Sequence, residues 1–216
     1  MFIGGRVSSH QSWTLLISLS TGEDRLCREK RCERQDSGMA STQEEKPGSG
    51  ALVDRWRSQV YSAEDQFSQL LNRGGVVDFF GSSLDVPLQR RFGEIASVRE
   101  YVTSVHEQVL AHFPDIACPN VRARNGTTQA HYEFSTATIA VPVNDQWALR
   151  ESVILHEWAH HLTAFTCASP VQAHGPEFVA NMVALVEIIL GESAALLLRA
   201  GYQAAQVPIS VVDAAK

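Results

Sequence analysis

Apolar positions along the chain fall into stretches of distinct period, separated by polar breaks. In VDRWRSQVYSAEDQFSQLLNR, Val53, Trp56, Val60, Phe67, Leu70 and Leu71 recur at helical spacing, and Gly74-Gly75 ends the run. VVDFFGSSLDVP then reads as two short strands around a Gly-Ser turn. SVREYVTSVHEQVLAHF has a helical period, opens with Ser97 and Glu100 at capping-box spacing, and runs to Pro114. VRAR, a turn at Asn125-Gly126, QAHYEF and ATIAVPV read as a small antiparallel set of strands. A long helix over about residues 146–165 follows. Pro176 stands at the first position of the next helix, Gly191 stops it, and ESAALLLRAGYQAAQ makes a last one. The pattern predicts an α+β fold, a small antiparallel sheet packed beside several helices.

Residues 1–50 carry no such period. They are rich in Ser, Gly, Arg and Glu and end in the linker-like STQEEKPGSG. Met39 begins MASTQEEKPGSG, which looks like a natural protein start, so residues 1–38 are expected to be disordered or a non-native upstream extension. Residues 51–216 are expected to form a single domain.

Composition narrows the function classes. The chain has 216 residues, 44% of them hydrophobic, enough for a real core. From Ala51 onward there are 11 Lys+Arg against 17 Asp+Glu, so the whole net charge of −6 lies there. That balance argues against a large phosphate-binding surface, and nucleic acid is not an expected partner. Cys27, Cys32, Cys118 and Cys167 show neither a CxxC pair nor a regular framework, and read as reduced, buried thiols. No apolar run reaches the roughly 20 residues that span a bilayer. WTLLISL is followed by charge-dense sequence without a cleavage site, so a cytoplasmic protein without membrane association is expected.

The candidate chemistry lies in HEWAHHLTAFTCASPVQAHGPEF, His156 to Phe178. On a helix, His156 and His160 are about 40° apart and leave the same face one turn apart. Glu157 lies about 60° from His160, beside the pair, while Leu155, Trp158, Ala159 and Leu162 form an apolar face opposite. One side would bury in the core and the other open to a cleft. This is H-E-x-x-H, the pattern of a catalytic zinc helix, which needs a third protein ligand and leaves a fourth position to water. His174 leads as third ligand: Ser169-Pro170 breaks the helix, Gly175 permits close approach and Pro176 starts a new helix. Glu187 remains an alternative ligand, and Glu177 an alternative ligand or a partner that orients one. His161, about 140° from His156, falls outside the tetrahedron. His106 and His112 have the wrong separation for shared ligation and read as surface residues.

HEWAHHL followed by HGPEF resembles the SprT-like zinc metallopeptidases, which include Spartan, where HExxH precedes a third histidine in an HGxxF-type segment. That resemblance covers Arg150 to Val183. RSQVYSAEDQF together with the zinc motif is similar to an uncharacterised actinobacterial metallohydrolase family over most of residues 55–190. The resemblance implies a zincin-like fold, one Zn²⁺ ion held by His156, His160 and His174, and Glu157 as general base. It implies a peptide or protein substrate. No cysteine-rich zinc ribbon follows, so a role in cutting proteins off DNA is not implied.

The expected activity is therefore zinc-dependent hydrolysis, with Glu157 taking a proton from the attacking water. Tyr132 and His131, just before the metal helix, are candidates for a second oxyanion donor, and Arg150 and Arg124 for substrate contacts. A strand edge in QAHYEF or ATIAVPV could pair with an extended peptide. Two alternatives stand beside the peptidase: a zinc hydrolase of a non-peptide amide or ester, and a regulatory or binding module with a structural metal. Glu157 argues against the module, because a structural site has no use for a base beside the metal.

Overall fold

The computed structural model describes residues 52–126 and 129–210, so the expectations for residues 1–50, with Cys27 and Cys32, lie outside the described residues. The first helix, α1 (Arg57–Arg73), buries Val60, Ala63, Phe67 and Leu71 along one stripe and ends where Gly74 turns to φ +58°. Strands β1 (Gly75–Phe79) and β2 (Ser82–Val86) form an antiparallel hairpin with Phe79 opposite Ser82. Its two-residue loop is therefore Phe80-Gly81, one position before the expected Gly-Ser turn, and both residues have positive φ. Helix α2 (Ile95–Val109) starts two residues before Ser97, and no side chain caps it, so the capping box is not used. Its buried face is Val98, Tyr101, Val102, Val105 and Val109.

The three-stranded sheet corrects the expected all-antiparallel set. Strands β3 (Asn120–Arg124), β4 (His131–Glu133) and β5 (Thr138–Pro142) lie in the order β3-β5-β4, with β3 parallel and β4 antiparallel to β5. All five residues of β5 are buried. A strand covered on both faces belongs at the centre of a sheet, so β5 separates the two strands that precede it. β4 is left as an edge beside the metal-motif helix.

That helix, α3 (Glu151–Thr166), starts at Glu151 rather than near residue 146. Arg150 stays extended and bridges Arg91, and the Glu151 backbone N–H donates to the Arg90 carbonyl. The Glu151 carboxylate in turn accepts from the Arg90 N–H, which fixes the first turn. Residues 154–163 are all buried, so the histidine face is covered as well as the apolar face. Helix α4 (Pro176–Leu190) begins with Pro176 in its first turn and ends at Gly191, followed by α5 (Glu192–Ala204). Trp158, Leu155 and Leu162 of α3, Phe178 and Met182 of α4 and Leu198 of α5 form the core. Asn181 donates to the Thr163 and Thr166 hydroxyls and pins α4 to α3.

Cys118 is exposed and Cys167 half-buried, both free, so neither is the buried thiol expected. His106 is half-buried and bonds the Ile116 carbonyl, closing the loop after α2, whereas His112 is exposed. Among the described residues no helix is long and apolar enough to cross a membrane.

Phe80 is 95% exposed at φ +51°, a backbone region that disfavours a bulky L-residue. Phe80→Asn, which creates the preferred Asn-Gly loop, is expected to raise stability by about 0.5–1 kcal/mol. An unchanged or lower urea midpoint would contradict the strain.

Candidate metal centre

The site is assembled from three places in the chain. His156 and His160 project from α3, and His174 comes from the corner before α4. One ring nitrogen of each lies within 4.8 Å of the others. The three side chains are only 4%, 8% and 5% exposed. Gly175 makes the corner possible: a Cβ there would come within 3.0 Å of the Gln172 Cβ and 3.2 Å of the Gln172 carbonyl oxygen.

Two carboxylates aim the rings. His156 Nδ1 lies 2.6 Å from Glu64 Oε2, and His174 Nδ1 lies 2.7 Å from Asp54 Oδ2. A carboxylate only accepts, so both Nδ1 atoms carry the proton and both Nε2 atoms present a lone pair. Those Nε2 atoms face each other at 3.2 Å. Two lone pairs so close in a buried site call for a proton or a cation between them. Asp54 also accepts the His174 backbone N–H at 3.2 Å, so it holds main chain and ring together. Glu64 accepts a second hydrogen bond from Tyr202 of α5 at 2.6 Å.

The electrostatics repeat the demand for positive charge. Burial lowers His156, but the charge and hydrogen bond of Glu64, with the charge of Glu157, outweigh it and raise the imidazole to about 9. Burial and repulsion from His156 lower His160 and His174. One proton on the triad thus excludes others, whereas a divalent cation satisfies all three nitrogens at once. The donor set fits zinc, a borderline-soft ion at home with imidazole nitrogen.

Glu157 is buried beside the triad. Burial pushes its carboxyl up to about 7, against the pull of His156 and a hydrogen bond from the Tyr132 backbone N–H. An open cleft reaches it between α1 and the β4 segment, lined by Arg57, Tyr61, Ala130, His131, Tyr132 and Phe134. A narrower pocket that Glu157 also borders is walled by Phe67, Trp147, Arg150 and Met182. The expected contact residues Arg150 and Arg124 therefore line these spaces, Arg124 in the cleft, where it bonds His131.

Other expected residues are placed differently. Neither Glu177 nor Glu187 joins the group: the carboxylates bonded to the rings, among the described residues, are Asp54 and Glu64. Glu187 is exposed in a groove with Arg199 and Gln203. The half-buried Glu177 folds back towards Gly175. Tyr132 is buried, with its hydroxyl 2.8 Å from His161 Nδ1. His161 Nε2 bonds the Ala117 carbonyl, so that nitrogen carries the proton and Nδ1 accepts from Tyr132. The Tyr132 hydroxyl proton is thus already used. His131 is similarly committed, its Nδ1 accepting from Arg124 and its Nε2 facing Glu133 at 3.4 Å.

Sequence reading missed Asp54, Arg57, Tyr61 and Glu64. A signal for Glu64 existed: it falls on the stripe Val60, Glu64, Phe67, Leu71, where a carboxylate needs a buried partner. Comparison of the chain with family models, with curated proteins and with solved structures finds no match in any of the three.

Loss of an orienting carboxylate typically weakens metal affinity about 10- to 100-fold. Competitive zinc titration is expected to show that loss for Asp54→Asn and for Glu64→Gln, whereas His174→Ala should lose the ion outright. Wild-type affinity in the Asp54 and Glu64 variants would remove them from the site.

Proposed function

We propose that this chain is a zinc-dependent hydrolase, and more narrowly a metallopeptidase of zincin-like design. The observation that carries the reading is Glu157, a buried carboxyl raised to about 7, set beside three converging imidazoles at the foot of an open cleft. His156 and His174 would hold the ion through Nε2, and His160 through one ring nitrogen. When bound, zinc supplies a Lewis acid that acidifies water and polarises a carbonyl. Glu157 takes the proton of the attacking water and returns it to the leaving nitrogen, the two transfers that a carboxyl beside the ion can make. The Tyr132 N–H holds the carboxyl in place between those two transfers.

A peptide suits the cleft wall. β4 pairs with β5 along one edge, and the Tyr132 N–H, which reaches Glu157, belongs to the opposite one. Main-chain groups on such an edge bind an extended peptide with little sequence preference. The likeness of HEWAHHL and HGPEF to the SprT-like peptidases supports the same reading. The acidic domain leaves nucleic acid outside the proposed partners, and a cytoplasmic setting suits free cysteines.

Glu157→Gln is the test. It is expected to keep one zinc per chain by elemental analysis and to cleave quenched fluorogenic peptides about 10²- to 10⁴-fold more slowly than the zinc-loaded wild type. Equal cleavage by both would sink the role of Glu157. Glu157-dependent cleavage of esters or acyl amides, but of no peptide, would transfer the activity to non-peptide substrates.

A further inference from the structure

Hydrolysis of an amide through a tetrahedral intermediate places negative charge on the carbonyl oxygen, and a donor fixed in advance at that point lowers the barrier. Tyr132 and His131 have their protons committed elsewhere, as described above. Another phenol stands at the centre. Tyr61 of α1 stacks on His156, with ring centroids 5.2 Å apart and planes 22° from parallel, and its centroid lies 5.1 Å from that of His174. The Arg57 guanidinium stands 5.5 Å from the centre of the same ring. These contacts engage the face of the ring and leave the hydroxyl proton to be donated.

The position matters as much as the proton. Tyr61 and Glu157 both border the open cleft and the narrower pocket beyond it, as does Ala130. Gln129 borders both spaces too, so a substrate that spans them lies against the Tyr61 side chain and Glu157 together. Its carbonyl would meet the base from one side and the phenol from another.

We propose that Tyr61 is the oxyanion donor of this site, hydrogen-bonding the substrate carbonyl oxygen as it gains negative charge. The assignment rests on the hydrolase reading. As the water oxygen bonds the carbonyl carbon and the C–N bond later breaks, the transferred proton travels through Glu157. Tyr61 keeps its own proton throughout and lends only a hydrogen bond. Its bond to the oxygen shortens as charge develops, so its effect falls on turnover more than on substrate binding.

The experiment compares full-length, zinc-loaded wild type and Tyr61→Phe, which keeps the ring against His156. Zinc content, kcat and KM are measured on a single fluorogenic peptide that the wild type cuts. Affinity for a phosphinic peptide, whose tetrahedral P–O⁻ imitates the intermediate, is measured alongside. Expected are one zinc per chain, a kcat lower by about 10²-fold with KM within about threefold, and a comparable loss of phosphinate affinity. Cleavage by Tyr61→Phe at the wild-type rate, or unchanged phosphinate affinity, would overturn the assignment alone. A zinc-loaded wild type that cleaves no peptide, ester or acyl amide would overturn the hydrolase reading and this assignment with it.

Discussion

The Glu64 carboxylate is the contact on which the rest of the structure turns. A half-buried carboxylate still loses hydration that hydrogen bonds must replace, and Glu64 meets that demand by accepting from His156 of α3 and Tyr202 of α5. One side chain on α1 thereby ties together three helices. The apolar stripe of α1 follows the same geometry, since Val60, Phe67 and Leu71 must pack wherever Glu64 finds its partners. Asp54, just before the helix, adds the second tie by holding both the ring and the backbone of His174. The corner at Gly175 and the start of α4 are positioned by that clamp.

These ties also set the charge of the site. Asp54, Glu64 and Glu157 surround three imidazoles that burial favours as neutral. One cation shared among the three rings would restore the balance, and a proton on His156 would do so less completely. Ligand binding and folding are then linked, because the groups that orient the ligands are the groups that hold α1 in place. Covering the histidine face, rather than leaving it open, serves this balance, since low polarity around the rings strengthens every charge interaction there.

Local geometry explains what could be read from the sequence. His156, Glu157 and His160 share one helix, where spacing alone fixes direction, and His174 precedes a Pro-initiated helix that anchors its corner. Glu64 and Asp54 lie 92 and 120 residues from their histidine partners, beyond any periodic signal. The sheet illustrates the same limit. Its strands were legible, but β5 enters between β3 and β4 because of burial on both faces, a tertiary fact. The start of α3 moved for a similar reason, since Arg150 is held extended by Arg91 from a distant segment.

His161 shows how far one helix can serve the site without offering a ligand. Facing away from the triad, it donates to the Ala117 carbonyl and accepts from the Tyr132 hydroxyl. Tyr132 is thereby fixed against α3, which sets the backbone of β4 at the height where its N–H reaches Glu157. The edge strand and Glu157 are thus positioned by the same helix. A shift of α3 carries His156, His160, Glu157 and the cleft wall together, whereas His174 is tied separately to Asp54. Tyr61 stands across the cleft on α1, and it is coupled to that unit through its stack on His156 and the Glu64 bond one turn away. The geometry of this site therefore depends on two contacts, that of α1 with α3 through Glu64 and His156 and that of Asp54 with the His174 corner before α4.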